Sequence, residues 1–135
     1  MGMEIVVILF GFVFLVFAGT WRIRTRTRKI AAARCGESYQ DFALHFSRAA
    51  VPTEVVEATF AYFRESMADA VSDFPVRPGD DIARIYGIVD EDLDDAAQEI
   101  LSRCHRKPPE TFQPAKTVED LVYYVVAGSP ITQMV

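Results

Sequence analysis

The longest apolar run in the chain lies near its N-terminus. Residues 5–21 read IVVILFGFVFLVFAGTW and contain no charged side chain. As a helix this run would extend about 26 Å, slightly less than the roughly 30 Å hydrocarbon core of a bilayer, so flanking residues must contribute to a span. Trp21 ends the run, where an indole ring favours the membrane interface. The pattern predicts one transmembrane helix, and we assign residues 1–21 to a membrane anchor.

Beyond residue 36 the apolar positions recur at helical spacing, and no alternating strand pattern is present. Ser38 and Asp41 form a predicted capping box at the start of the first helix. Further helices are predicted from about residue 53, from near Asp92, and from Thr117. Their apolar faces are, in order, Tyr39, Phe42, Ala43, Phe46 and Ala50; Val56, Phe60, Phe63, Met67 and Ala70; Leu93, Ala96, Ala97, Ile100, Leu101 and Cys104; and Val118, Leu121, Val122 and Val125. Residues 37–135 are therefore predicted to form one all-α domain.

The connections between these helices differ in character. Residues 72–89 contain four helix-breaking Pro and Gly residues together with several large apolar ones, among them Phe74, Val76, Ile82, Ile85, Tyr86 and Ile88, which predicts a long loop packed against the domain. Within that loop, Asp80 or Asp81 is placed to cap a short helical turn that runs through Tyr86. The connector around Phe112 can form a single turn, and the tail at 131–135 is expected to fray.

Charge is distributed unevenly along the chain. Six of its 14 basic residues lie at 22–34, whereas 18 of its 19 acidic residues follow residue 34. By the positive-inside rule, this asymmetry places the domain in the cytoplasm and the anchor in the inner (plasma) membrane. The acidic balance of the domain argues against nucleic acid as a partner, because phosphate backbones require Lys and Arg.

The basic segment at 22–36 also bears on how the chain meets the membrane. A cleaved signal peptide would need positive charge before the apolar run and small residues after it, whereas Glu4 precedes the run and RIRTRTRK follows it. An uncleaved anchor is therefore favoured. Anionic lipid is the expected partner of this segment, at about 1 kcal/mol per basic residue near the surface. The predicted lipid-contact residues are Arg22, Arg24, Arg26, Arg28 and Lys29.

The two cysteines, Cys35 and Cys104, are expected to be free thiols in a cytoplasmic domain. Cys35 follows the basic segment, and its acylation near the membrane is an open alternative. Cys104 precedes His105, but the only other histidine is His45 and no spaced four-ligand set exists. We therefore expect no zinc site.

Three short segments between residues 53 and 127 stand in a characteristic order. They are FPVRPGDDI at 74–82, DEDLD at 90–94, and KTV at 116–118 with Leu121 after it. They link a long helix, a packed loop, an acidic helix and a final helix. In this order and spacing the chain resembles the acyl carrier protein superfamily. The resemblance implies that the anchor is followed by a small carrier-like helical bundle, with its core at about residues 53–127.

The chain departs from that superfamily at its central motif. Carrier proteins hold an Asp-Ser-Leu triplet whose serine bears phosphopantetheine, and the corresponding triplet here is Glu91-Asp92-Leu93. The carboxylate of Asp92 cannot form the phosphodiester, and the segment after Gly87 is about two residues longer. The resemblance therefore implies a carrier-type fold without the prosthetic group. We expect no cofactor, no catalytic residue and no enzyme activity.

The acidic stretch GIVDEDLDDAAQE at 87–99 allows several interpretations. Its D-x-D-x-D beginning is typical of a calcium loop, but Asp95 and Leu101 stand where that loop needs Gly and Glu. A catalytic carboxylate pair would need contrasting environments in a cleft, which a helix start does not predict. A solvated helix N-terminus and a surface that docks a basic partner both remain. The candidate docking residues are Asp90, Glu91, Asp92, Asp94, Asp95 and Glu99.

Three functional hypotheses follow from these patterns. The first is a membrane-anchored, non-catalytic domain that docks the basic surface of a partner protein through the acidic helix start. The second is an accessory subunit recognised mainly through its transmembrane helix, although Gly11 and Gly19 do not form a G-x-x-x-G pair. The third is a phosphopantetheine-bearing carrier, which requires a modifiable hydroxyl that we do not find.

Overall fold

A computed structural model describes residues 2–111 and 114–131 of the chain. Phe112 and residues 132–135 of the predicted fraying tail lie outside the described residues. The all-α prediction is confirmed, with one N-terminal helix that is a candidate membrane span. The helices and strands are α1 (Gly2–Ala33), α2 (Tyr39–Phe46), α3 (Thr53–Ser66), α4 (Ile82–Tyr86), α5 (Asp90–Arg103), β1 (Arg106–Lys107), α6 (Val118–Ala127) and β2 (Ser129–Pro130).

Helix α1 continues without a break from the apolar run through the basic segment. Its 32 residues correspond to about 48 Å of helix. It is long and apolar enough to cross a membrane, and none of its most apolar 18-residue window is buried. The helix extends past Trp21 because the next fourteen residues contain neither Gly nor Pro, until Gly36 ends the turn after the helix with φ +91°.

The core of the domain lies around α3, which packs against α2, α5 and α6. The predicted apolar faces supply most of this core, and the buried ring of Phe42 contacts the rings of both Phe46 and Phe60. Thr59 is fully buried, but its hydroxyl donates a hydrogen bond to the Val55 carbonyl at 2.8 Å. Ala50 lies outside the helices and has φ +53°, a left-handed backbone.

The loop between α3 and α5 is packed down, as its apolar content predicts. Phe74, Val76 and Ile82 are buried in the core. Asp81 rather than Asp80 caps α4, because its carboxylate accepts a hydrogen bond from the Arg84 amide at 3.0 Å. Helix α5 begins at Asp90, two residues before the predicted start, since the left-handed Gly87 ends α4 and the chain turns again within two residues.

One short two-stranded ribbon accompanies the helices. β1 and β2 pair antiparallel, with Arg106 opposite Pro130 and Lys107 opposite Ser129. Two-residue strands are too short to produce an alternating pattern, so the sequence carries no signal for them. The pairing brings the Lys107 carbonyl so close to Gly128 that a Cβ there would lie 2.2 Å from it. Glycine at 128 is therefore required by this close approach.

Candidate functional site

The end of α1 is attached to the domain by a buried ion pair. The Arg34 guanidinium donates to both carboxylate oxygens of Asp80, at 2.5 and 2.8 Å, and also to the Pro75 carbonyl at 3.0 Å. Both side chains are more than 90% buried. Although Arg34 belongs to the basic run in the sequence, its charge is paired with that of Asp80 in the interior of the protein.

Asp80 also accepts hydrogen bonds from neighbouring polar groups of the packed loop. Its Oδ2 accepts hydrogen bonds from the Tyr86 hydroxyl at 2.9 Å and from the Arg77 amide at 3.0 Å. Burial raises the pKa of Tyr86, and the adjacent Asp80 carboxylate raises it further, so the phenol stays protonated as a donor. The Asp80 carbonyl accepts from the Val118 amide at 3.0 Å. One aspartate therefore joins α1, the loop and the start of α6.

The C-terminal part of α1 packs directly on the domain. Thr27 is buried, while Ile30 and Ala31 contact the core. The Arg28 Nε donates to the Ala70 carbonyl at 3.4 Å. The domain is therefore held against the extension of the candidate span, and it does not hang from a flexible linker.

The predicted lipid-contact residues Arg22, Arg24, Arg26, Arg28 and Lys29 are all exposed. By helical geometry, Arg22, Arg26 and Lys29 lie on one side of α1, and Arg24 and Arg28 lie on another. The face that packs on the domain lies between these two groups. Basic side chains therefore flank the domain on both sides at the point where α1 leaves the apolar run.

Cys35 is exposed, and Cys104 is buried. Because α1 stays helical beyond the apolar run, Cys35 lies about 20 Å from Trp21 along the helix axis. This separation disfavours acylation of Cys35 at the membrane surface. Burial raises the pKa of the Cys104 thiol, which disfavours the nucleophilic thiolate form.

The six candidate docking residues share one helix, α5, and all are exposed. Among the residues that the structure describes, Asp90, Glu91, Asp92, Asp94 and Asp95 have no basic group within ion-pair distance. Glu99 differs, because it pairs with Arg103 at 3.1 Å. Burial raises the pKa of the nearby Tyr62, and the negative charge of Glu99 raises it further. The first turns of α5 thus carry unbalanced negative charge, and we call these six residues the acidic face.

The start of α6 uses its acidic residue in a different way. Thr117 and Asp120 form a capping box at the predicted start of this helix, and the Thr117 hydroxyl accepts from the Asp120 amide at 3.1 Å. The Asp120 carboxylate accepts from the amides of Lys116 and Thr117, both at 3.1 Å. Helix α5 has Val89 at the equivalent position and no side-chain cap.

A cleft that the sequence did not predict adjoins the acidic face. It lies between α5, α6 and the segment at 114–115, and its volume is about 240 Å³. Asp90 and Asp94 are at its edge, and the rest of its lining is mainly apolar. The lining residues are Asp90, Leu93, Asp94, Ala97, Pro114, Ala115, Leu121 and Tyr124. Leu93, Ala97 and Leu121 read as core positions in the sequence, so only the packing of the two helices distinguishes a cleft from a filled core.

Two further polar pairs lie on the surface of the domain. His45 and Glu119 form an exposed pair at 3.1 Å, and Arg77 forms a bidentate pair with Glu37. Within residues 2–111 and 114–131, no group of three or more His, Cys, Asp or Glu side chains is arranged to hold a metal ion.

Comparison with known proteins identifies no relative of this chain. No protein-family model matches it, and neither the curated proteins nor the solved structures contain a match. The resemblance to carrier proteins therefore depends on the residue pattern alone, and the function has to be inferred from the geometry of the surface.

Proposed function

We propose that the protein is a membrane-anchored, non-catalytic binding domain that docks a basic surface of a partner protein through its acidic face. The observation that carries this proposal is the set of five exposed carboxylates at the start of α5 that have no ion-pair partner among the described residues. Like charges so close together repel one another, and a basic partner would relieve that repulsion. Exposed charge of one sign also accelerates encounter with a partner of the opposite sign.

In this proposal α1 crosses the inner (plasma) membrane and the domain lies on the cytoplasmic side. The basic segment then faces the lipid headgroups of that leaflet, where each Arg or Lys contributes about 1 kcal/mol of attraction to anionic lipid. The attachment through Arg34 and Asp80 supports a fixed position of the domain at the membrane. A partner captured by the acidic face would therefore be concentrated close to the bilayer.

The order of structural elements is also what a carrier-like domain would have. Helix α3, the packed loop with α4, the acidic α5 and the final α6 follow the arrangement that the resemblance implies. Asp92 is exposed in the first turn of α5, where a carrier would present its serine. We propose that the domain keeps a recognition surface of this kind and carries no prosthetic group.

The test reverses two charges on the acidic face and measures partner capture. Full-length protein with Asp94→Lys and Asp95→Lys is purified in mild detergent, and co-purifying proteins are identified and quantified over a range of salt concentrations. We expect capture to fall and its salt dependence to flatten. The matched control is Glu54→Lys with Glu57→Lys, which reverses two exposed acids near the start of α3. Equal capture by all three proteins would exclude the acidic face as the docking surface.

A second candidate function places recognition in α1. Its apolar residues at 5–17 are exposed along the whole helix surface, so no part of the domain competes for them. In this case the protein is an accessory subunit that is recognised through its transmembrane helix. Replacing residues 5–21 with an unrelated apolar span distinguishes the two functions. Association survives this replacement if the acidic face recognises the partner, and it is lost if α1 does.

A carrier with a bound phosphopantetheine is the remaining alternative, and one measurement tests it. The intact mass of the protein is determined after coexpression with a phosphopantetheinyl transferase. We expect an unmodified mass, because the side chain at position 92 is a carboxylate. A mass increase by one phosphopantetheine group would contradict the non-catalytic proposal.

A further inference from the structure

We infer that the cleft between α5 and α6 receives an apolar side chain of the docked partner, whose recognition segment therefore combines one apolar residue with neighbouring Lys or Arg. This inference rests on the proposed function, because it assumes that the acidic face docks a basic protein. It adds the chemistry of the segment that is recognised. The cleft is the observation that carries it.

The lining of the cleft is suited to an apolar group. Leu93 and Tyr124 are only partly buried, although both pack against the core. The other lining residues include Ala97 and Ala115, whose side chains are too small to fill the space between Leu93 and Tyr124. A cleft of about 240 Å³ remains. This volume exceeds that of a large aliphatic or aromatic side chain. Covering the exposed parts of Leu93 and Tyr124 would remove apolar surface from water.

The edge of the cleft determines which apolar ligand fits. Asp90 and Asp94 are one helical turn apart on α5, and both line the cleft on the same side. A fatty acid or a phosphorylated ligand would bring its negative charge next to these carboxylates and be repelled. A peptide with a Lys or Arg beside its apolar residue would place opposite charges together at the edge. Charge complementarity therefore favours a basic, apolar protein segment as the occupant.

The acidic face and the cleft would act together but at different strengths. Exposed ion pairs contribute little each, whereas burying a large apolar side chain strengthens binding by about tenfold or more. We therefore expect the carboxylates to govern the encounter rate and the salt dependence, and the cleft to govern the lifetime of the complex. Interface hot spots occupy well-packed pockets surrounded by contacts that exclude water, and the cleft with its acidic edge offers a pocket of this kind to a partner side chain.

The experiment uses the full-length protein in nanodiscs of zwitterionic lipid, because anionic lipid would itself bind the lysines of the probe peptides. Two fluorescent synthetic peptides serve as probes: one has a phenylalanine flanked by lysines, and the other has serine in place of the phenylalanine. Binding is measured by fluorescence anisotropy, and the methyl resonances of Leu93 and Leu121 are followed by NMR. We expect the phenylalanine peptide to bind at least about tenfold more tightly and to shift both resonances.

Two variants separate the contributions of the cleft and of its charged edge. Ala115→Leu extends a half-buried side chain of the connector into the cleft, and it should remove the preference for the phenylalanine peptide. Asp90→Asn with Asp94→Asn should weaken both peptides and reduce their salt dependence. If Ala115→Leu unfolds the domain, the two methyl resonances of the unsubstituted protein still report whether the peptide enters the cleft.

Each outcome distinguishes this inference from the proposed function. If both peptides bind equally and Ala115→Leu changes neither, the cleft is not used and the acidic face stands alone. If neither peptide binds while charge reversal at Asp94 and Asp95 still abolishes capture, again only the present inference fails. If Phe112→Ala alone shifts the Leu93 resonance and strengthens peptide binding, the cleft belongs to the chain's own Phe112, which overturns the inference. If neither peptide binds and reversal has no effect, both proposals fail.

Discussion

Two acidic stretches lie ten residues apart in the sequence, and the structure gives them different environments. The first takes part in the hydrogen bonds of the fold, and the second is exposed. Asp80 and Asp81 are used by the fold, since Asp80 is 4% exposed and binds Arg34, Tyr86 and the Arg77 amide, while Asp81 caps α4. The stretch at 90–95 lies on the surface of α5, and its carboxylates have no ion-pair partner among the described residues.

The difference shows that the number of acidic residues in a segment does not indicate their role. The first stretch is structural because every carboxylate oxygen of Asp80 has a donor, which offsets the cost of burying its charge. The carboxylates of the second stretch are exposed and, in the described part of the chain, unpaired, so replacing them would leave no buried group there without a partner. A surface that the fold does not need is available for a partner, and the following predictions test this contrast.

The largest expected effect is the loss of Asp80. Asp80→Ala leaves the Arg34 guanidinium buried without its counter-charge, which should cost about 3–5 kcal/mol of unfolding free energy. Asp94→Ala, at an exposed position of α5, should cost less than about 0.5 kcal/mol. The measurement is urea unfolding of the full-length variants in mild detergent, followed by far-UV circular dichroism.

A double variant tests the reason for this effect. Arg34→Met combined with Asp80→Leu removes both charges, and we expect it to recover much of the stability that Asp80→Ala loses. A double variant as unstable as Asp80→Ala would show that the loop depends on the hydrogen bonds from Tyr86 and Arg77 more than on the ion pair. A small effect of Asp80→Ala itself would contradict the structural role of the first stretch.

The next effect compares the starts of α6 and α5. Thr117→Val removes the hydroxyl that accepts from the Asp120 amide, and it should cost about 1 kcal/mol of unfolding free energy. Val89→Thr at the equivalent position of α5 should stabilise the protein by a smaller amount, because it adds a cap where none exists. Urea unfolding measures both changes. If Val89→Thr also weakens peptide binding, the uncapped start of α5 contributes to docking.

A smaller effect concerns the dependence of stability on pH. Burial opposes the charge of Asp120, but the hydrogen bonds from Thr117 and Lys116 outweigh this and lower its pKa below the ordinary value of 3.8. A lowered pKa in the folded state means that the unfolded state binds the proton more readily. The stabilisation from Asp120 is therefore fully present above its ordinary pKa, and it is lost as the pH falls through the lowered value in the folded protein.

Asp120→Asn measures this contribution. The variant should be less stable than the unsubstituted protein at neutral pH, and the difference should shrink below about pH 4. Unfolding free energies at a series of pH values provide the test, with Asp69→Asn as a control at an exposed position. A constant difference across this range would indicate that the carboxylate has no special stabilisation in the folded state.

Local features of the fold were predictable from the sequence, and tertiary ones were not. The capping pairs Ser38–Asp41 and Thr117–Asp120 and the apolar faces of the helices depend on residues close together in the chain. The burial of Arg34 depends on Asp80, 46 positions away, and nothing in the basic run distinguishes it from its exposed neighbours. The cleft has the same origin, since its lining comes from two helices and a connector.

The smallest predicted effect is a difference in stability between two substitutions within the acidic face. Asp90 and Glu91 lie in the first turn of α5, where the helix dipole and free amides stabilise negative charge. Asp94 and Asp95 lie beyond that turn, where the dipole has faded and repulsion by their acidic neighbours remains. Asp90→Asn should therefore destabilise the protein by a few tenths of a kcal/mol, and Asp94→Asn should leave it unchanged or stabilise it slightly.

The two variants separate a folding role from a docking role within one turn of helix. Thermal unfolding measures stability, and capture of the co-purifying partner measures docking. If Asp94→Asn raises stability and weakens capture, the carboxylate is retained for binding at a cost to the fold. If Asp94→Asn destabilises the protein as much as Asp90→Asn does, the acids stabilise the helix start collectively. The contrast between a structural and a spare acidic stretch would then be wrong, because both stretches would be part of the fold.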